Sequence, residues 1–382
     1  MPDAAPDRRT PHVTLRTTEP TRFGSGFLSG MLSAILGIAA FGVVLSVRFP
    51  EYLMQADLRP VYASPYARAA VHLMLVAAFL FGSISAFLRA NKALPLIGLG
   101  FTLTAALLGG SNVVGQPATD GHAWFAVDFF VLNLLLYSAV FVPLERLFAL
   151  RAHQPVFRRH WAVDLTYFFV NSLLIEVLTV LTLKPALVLF AWARSGSVSA
   201  FVESMPLLVQ VPMLVLVADF TQYWIHRTFH TVTFLWGFHA IHHSAEEMDW
   251  LAGSRLHLVD VILTRGLTYV PIFVIGFSNT ALVLYVLLVA AQATFIHANV
   301  RWRLRPLRRL IATPAFHHWH HSADAAATDK NFCVHTPLWD MLFGTYYLPD
   351  QWPTRYGLHG GRRVPVGWLR QLNYPFARRS QR

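Results

Sequence analysis

Long apolar runs separated by short polar and basic stretches set the pattern of this chain. Runs at residues 25–47, 69–88, 94–110, 123–142, 161–183 and 206–225 each approach the roughly 20 helical residues needed to cross a hydrocarbon layer of about 30 Å. They predict an all-α, multi-span integral-membrane protein. Pro95 falls in the first turn of the third run, where its missing N–H is tolerated. A seventh apolar stretch, residues 267–296, would extend about 45 Å as a single helix, too long for one straight crossing. Gly276-Phe277-Ser278-Asn279 interrupts it with turn-forming residues. The expectation is a re-entrant hairpin that dips into the bilayer and returns to the side it came from.

Composition agrees with the membrane reading. The chain of 382 residues is 55% hydrophobic and only 13% charged, with a mean hydropathy of +0.45, against about 25% charged residues in soluble domains. A net charge of +11 could point to nucleic acid, but the basic residues are dispersed between apolar runs. Orientation explains them better, and no nucleic-acid partner is expected. Arg8, Arg9, Arg16 and Arg22 precede the first run, Arg89 and Lys92 follow the second, and Arg146, Arg151, Arg158 and Arg159 follow the fourth. By the positive-inside rule these segments are cytoplasmic. Arg265 and the series Arg301, Arg303, Arg305, Arg308 and Arg309 bracket the seventh stretch, which puts both its ends on that same side. Cys333 is the single cysteine, so thiolate clusters and intrachain disulfides are excluded. The expected organisation is a disordered tail at 1–24, membrane helices at 25–150, a catalytic domain at 151–357 containing the hairpin, and a basic tail at 358–382.

Chemistry-bearing residues are concentrated late. Eleven of the eighteen histidines lie between His226 and His321. His226 and His230 are spaced i, i+4 and share a helix face. In His239-Ala240-Ile241-His242-His243 the first histidine shares a face with the last two, which diverge from each other by about 100° and can reach different metal ions. His317-His318-Trp319-His320-His321 repeats the pattern, with His318 in the variable position. His297 stands where the hairpin regains the surface, and His257 lies in Arg255-Leu256-His257 as a ligand, a neighbour of a ligand or a substrate contact.

Eight to ten neutral imidazoles exceed the needs of one ion and suit two. Imidazole accepts several metals, but attack on an unactivated C–H bond needs a redox metal, which zinc is not. Iron is the physical choice. Glu246, Glu247, Asp249, Asp260, Asp324 and Asp329 are candidates to orient imidazoles through their second ring nitrogen. Two other classes compete. A histidine-rich membrane metal transporter would place its site near the bilayer midplane, and a zinc-dependent membrane hydrolase would need far fewer histidines.

The segments HRTFH, HAIHHS, RLHLVD, FIHAN, TPAFHHWHHS, DKNF and WDMLFGTYY, in this order between about Asp219 and Gly357, resemble the fatty acid hydroxylase and sterol desaturase superfamily. That resemblance implies a multi-span protein with a cytosolic histidine-rich helical cap and a non-haem centre of two iron ions. It implies metal ligation by His226, His230, His239, His242, His243, His317, His320 and His321, with His297 and His257 at further family positions. Leu258 and Asp260 stand where the family commonly has proline and glutamate, and Cys333 stands where many relatives have glycine. The implied reaction is O₂-dependent hydroxylation or desaturation of a sterol, fatty acyl chain, sphingolipid, carotenoid or alkylglycerol. The sequence shows no nicotinamide fingerprint or haem-binding domain, so a separate ferredoxin, cytochrome or reductase is the expected electron donor.

Overall fold

The computed structural model describes Pro11, Val13 and residues 24–54, 59–113, 127–361 and 363–377. Nearly all of the tail expected at 1–24, the start of the fourth apolar run and the end of the basic tail lie outside the described residues. Among the described residues the regular elements are helices, joined by loops with two isolated bridges and no strand. The chain divides into two compact units, Met1–Leu147 with Ser172–Ile175, and Phe148–Asn171 with Glu176–Arg382.

The first unit contains α1 (Phe27–Arg48), the short α2 (Pro50–Leu53) and α3 (Arg59–Ala63), α4 (Pro65–Leu88), α5 (Ala93–Leu107) and α6 (Val127–Leu147). Helix α1 is its centre, packed on α4, α5 and α6. Small residues let the helices approach closely. A Cβ on Gly98 of α5 would lie 2.6 Å from the Ser33 carbonyl carbon of α1. Ser33 Oγ donates across to the Ala78 carbonyl of α4 at 2.7 Å.

The second unit contains most of α7 (Trp161–Leu173) and of α8 (Ile175–Leu189), with α9 (Gly196–Ser204), α10 (Leu207–Thr231), α11 (Thr233–His239), α12 (Leu258–Ile275), α13 (Asn279–His297), α14 (Pro314–His320), α15 (Leu338–Leu342) and α16 (Trp368–Ala377). Helices α7 and α8 meet at a 54° bend. Val202, Leu214, Ala218, Ile272, Phe277, Ala281 and Tyr285 form one core between α9, α10, α12 and α13. The outward faces of the long helices are apolar, with Leu208, Leu216, Leu267, Val283 and Leu287 exposed. Such surface is a liability in water and ordinary against lipid. Six described helices are long and apolar enough to cross a membrane: α1, α4, α5 with its extension to Asn112, α10, α12 and α13.

The break in the seventh apolar stretch falls at Gly276–Ser278, as its turn residues suggest. Gly276 has φ +78°, and a Cβ there would meet Ser199, so the turn has both a conformational and a steric reason for glycine. Ser278 caps α13 by accepting from the Ala281 N–H at 3.3 Å, and its own N–H donates to Gln210 Oε1 at 3.1 Å. The helix before the break starts earlier than the apolar count indicated, at Leu258 rather than Leu267. Polar Asp260, Thr264 and Arg265 hid that start. The arms are thus 18 and 19 residues long, about 27–29 Å at 1.5 Å per residue, and their length no longer argues for a shallow dip. In a Cys333→Ser background, Thr280→Cys at the exposed tip is expected to react with an impermeant maleimide added on the membrane face opposite the histidine loops. Protection of Thr280→Cys from that face, with labelling only by a permeant reagent, would instead place the tip inside the bilayer.

Candidate metal centre

Every histidine motif lies at or just beyond the end of a helix. His226 and His230 occupy the last two turns of α10, and His239 ends α11. His242 and His243 form the single 3₁₀ turn that follows, His297 is the last residue of α13, and His317 and His320 lie on α14 with His321 as its C-cap. Helix α14 is started by Thr313, whose side chain accepts from the Phe316 N–H, and by Pro314 in the first turn.

These elements bring nine imidazoles into two groups. His226, His230, His239, His243 and His320 form one, and His242, His297, His317 and His321 form the other; within each, one ring nitrogen per residue lies within 4.8 Å of all the others. Adjacent histidines separate as their divergence predicts: His242 and His243 fall in different groups, as do His320 and His321. The groups abut, with His243 and His321 stacked at 4.5 Å between ring centroids.

The ring nitrogens themselves test whether a cation fits. His226 Nδ1 faces the Phe332 carbonyl at 2.7 Å and His239 Nδ1 faces Asp260 Oδ2 at 2.7 Å. Both partners only accept, so each Nδ1 carries the hydrogen and each neutral ring presents a bare lone pair at Nε2. Those two Nε2 atoms are 2.9 Å apart, a separation at which two bare lone pairs repel and a shared proton or a metal cation is accommodated. The second group repeats the arrangement. His297 Nδ1 donates to the Ala293 carbonyl at 2.6 Å and His242 Nδ1 to the Arg255 carbonyl at 3.3 Å, while their Nε2 atoms are 3.3 Å apart. His317 Nε2 lies 3.0 Å from His297 Nε2 and 3.1 Å from His321 Nε2. In the first group, His230, His243 and His320 each bury an Nε2 with no hydrogen-bond partner. Burial, followed by repulsion between neighbouring imidazoles, holds His242, His243, His317, His320 and His321 well below the usual histidine range. At neutral pH they are uncharged donors, the form that binds a metal. Both clusters fit a metal ion.

The two remaining histidines of the motifs are placed differently. His318 is buried outside both groups, with Nδ1 2.8 Å from the Tyr356 hydroxyl and Nε2 3.3 Å from the His297 carbonyl. Burial pushes it down to about 3. His257, expected among the metal residues, is not brought into either cluster, because both its ring nitrogens are used. Its Nδ1 accepts from the Val259 N–H at 3.1 Å as the N-cap of α12, and its Nε2 donates to the Leu372 carbonyl of α16 at 3.1 Å.

The partners that orient the ligands are mostly backbone carbonyls, which carry no signal in a sequence. Two come from the DKNF segment. Asp329 (φ +55°) and Asn331 (φ +61°) are both left-handed, a conformation Asp and Asn tolerate better than most residues. The Asn331 side chain fixes the turn, donating to the Phe316 carbonyl at 2.9 Å and the Tyr347 carbonyl at 2.7 Å, and accepting from the Tyr347 N–H at 2.7 Å. The loop so held aims the Lys330 carbonyl at His320 Nδ1 (2.9 Å) and the Phe332 carbonyl at His226 Nδ1. Asp340 accepts from the Phe332 and Cys333 N–H groups at 2.8 and 2.7 Å. Asp219 of α10 accepts from those of Val334, His335 and Thr336 at 2.9–3.0 Å. Cys333 is fully buried, and burial raises its thiol pKa, so it is packing rather than chemistry.

A second support lies behind His242. Arg158 Nη2 donates to Asp164 at 2.6 Å and to Asp249 at 2.7 Å, and Arg255 Nε donates to Asp164. All four side chains are buried and their charges balance. Burial alone would lower the Arg158 pKa, but Asp249 and Asp164 outweigh it and raise it. The network holds Arg255, whose carbonyl orients His242. Of the six expected carboxylates, Asp260 binds a ligand directly and Asp329 lies 3.4 Å from His230 Nδ1, while Asp249 acts through Arg158. Glu246 and Glu247 pair with Arg159.

Residues 211–345 match the family model described as fatty acid hydroxylase. The chain is 31% identical over 181 residues to the ornithine lipid hydroxylase OlsE of Rhizobium tropici, covering 47% of this chain and 54% of that one. It is 30% identical over 140 residues to the alkylglycerol monooxygenase of Homo sapiens, covering 37% and 31%. It is 26% identical over 138 residues to the protein CER1-like 2 of Arabidopsis thaliana, covering 33% and 22%. The chain thus spans about half the length of the first of these relatives and less of the others. No solved structure matches it.

Two outcomes follow from the geometry. His242→Ala and His243→Ala are each expected to remove about half of the bound metal, from different clusters, whereas His257→Ala leaves metal content unchanged and lowers thermal stability. Elemental analysis with metal-edge X-ray absorption checks both, and equal loss from one shared site would contradict the assignment. Asn331→Ala removes the clamp on two orienting carbonyls and is expected to weaken metal binding about 10–100-fold, the range for orienting partners, as measured by chelator competition.

Proposed function

We propose that this chain, which carries a fatty acid hydroxylase domain at residues 211–345, is an integral-membrane oxygenase. It holds two iron ions, one in each histidine cluster, and uses O₂ with electrons from a separate donor to hydroxylate or desaturate a lipid. The observation that carries the reading is the pair of abutting, buried, all-imidazole clusters. Nine imidazoles in two groups suit two redox-active ions better than one zinc. Imidazole binds iron readily, and iron supplies the O₂ chemistry that zinc lacks.

The chain's own residues prepare the centre. Phe332, Lys330, Ala293 and Arg255 carbonyls and the Asp260 carboxylate fix the protonated nitrogen of five rings, which keeps the other nitrogen bare. Burial of the ligands excludes bulk water, which protects a reactive centre from side reactions. Hydroxylation consumes the lipid, O₂, two electrons and two protons and gives the alcohol and one water; desaturation with the same inputs gives the alkene and two waters.

The lipid class is supported by two features. The relatives' names state a lipid hydroxylase and an alkylglycerol monooxygenase, and the candidate membrane helices α10, α12 and α13 begin or end at the clusters. That placement at helix ends, rather than halfway along them, also disfavours a metal transporter, whose site lies near the bilayer midplane. The dispersed basic loops support a cytoplasmic location for the centre. Comparing the lipids of an expression host making the wild type with one making His243→Ala tests the reading. A lipid that gains one oxygen or loses two hydrogens only with the wild type, and O₂ uptake by the reconstituted iron-loaded protein, are expected. Unchanged lipids alongside metal uptake into proteoliposomes would favour a transporter.

A further inference from the structure

Beyond the metal clusters, the second unit contains a cavity of ≈ 720 Å³, within the roughly 300–1,000 Å³ of small-molecule sites. Its wall holds five arginines, Arg151, Arg159, Arg255, Arg355 and Arg363, and a single carboxylate, Glu246. Asp164 neutralises Arg255 from behind, and Glu246 lies 3.6 Å from Arg159. Arg151, Arg355 and Arg363 have no carboxylate partner among the described residues, so the cavity carries uncompensated positive charge. Arg151 is moreover held in place. Its Nη2 donates to the Thr354 carbonyl at 3.0 Å and the Pro353 carbonyl at 3.3 Å, and its guanidinium sits 4.4 Å from the centre of the buried Tyr356 ring.

Guanidinium groups lining one concave space match the oxygens of a phosphate group, which they bind bidentately, and an anion there offsets their like charge. We propose that this cavity binds a phosphomonoester, with Arg151, Arg355 and Arg363 taking the phosphate oxygens. The concave shape favours a small molecule over the surface of an acidic protein. The site reaches the second histidine cluster along two paths, through one intervening residue in the first and directly in the second. Tyr356 bonds His318, which lies against the His297 carbonyl, and Arg255 bonds His242 through its own carbonyl.

The test uses the full-length protein in maltoside micelles, which contain no phosphate, and reads binding rather than turnover, so its outcome is separate from that of the oxygenase reading. Calorimetric titration with inorganic phosphate and with glycerol 3-phosphate at constant ionic strength is expected to show saturable 1:1 binding. The Arg355→Gln/Arg363→Gln double variant should bind at least tenfold more weakly at unchanged metal content and melting temperature. Arg151→Lys, which keeps the charge and loses the fork, should also weaken binding. A second arm distinguishes the source of the phosphate: arginine-dependent binding of phosphatidic acid in mixed micelles, with no binding of the soluble esters, assigns the group to a lipid headgroup and supports the same chemistry. Binding of neither kind, binding unchanged in the double variant, or an effect of the variant confined to an acidic ferredoxin would overturn the proposal.

Discussion

Bare imidazole lone pairs turned toward one another, at 2.9 Å between His226 and His239 and 3.3 Å between His242 and His297, are the constraint on which the rest of this structure depends. In water such rings would rotate apart or bind protons. Here each is fixed by a bond from its other nitrogen, and a cation between the facing nitrogens would relieve the repulsion. Because the fixing partners come from α12, α13, the Arg255 loop and the DKNF loop, several segments distant in sequence must be correctly placed at once. A metal bound there would therefore be coupled to the folding of this unit.

The supports differ in kind, and the difference follows from what each must resist. The DKNF loop places two non-glycine residues in the left-handed region, strain of order 1–3 kcal/mol each, and retains them through the side-chain bonds of Asn331. The Arg158–Asp164–Asp249–Arg255 network is ion-paired and buried. As a source of net stability such a network is weak, yet removal of one partner leaves an unpaired buried charge and costs about 3–5 kcal/mol. It works as a geometric lock, committing α7, the loop after the second histidine motif and Arg255 to one arrangement.

Much of the centre was legible because its ligands are local. The i, i+4 spacing of His226 and His230 and the divergence of His242 from His243 are properties of a helix, and the structure keeps them, although a 3₁₀ turn rather than a continuous helix carries the second pair. His257 shows the limit of that reasoning. A histidine beside the right motif can equally cap a helix, and only the position of Leu372, 115 residues away, shows that both its nitrogens are occupied. The orienting carbonyls were invisible for a related reason, since any residue supplies one. The start of α12 was missed because Asp260, Thr264 and Arg265 interrupt the apolar pattern, and Asp260 is polar there because it holds His239.

That last residue joins the two requirements the proposed chemistry makes of the fold. A carboxylate in the first turn of an otherwise apolar, membrane-length helix is expensive to bury, and it is retained where its hydrogen bonds are made: 2.7 Å to His239 and 3.1 Å from the Thr264 hydroxyl. The same helix exposes Leu267 beyond that first turn. The polar geometry of a metal ligand and the apolar surface suited to lipid are therefore built into one element, as they are in α10, which carries Asp219, His226 and His230 on a helix long and apolar enough to cross a membrane. Placing the clustered imidazoles at the ends of such helices would bring a metal held between them to the edge of an apolar layer, while each imidazole keeps a protein partner or a place in a cluster.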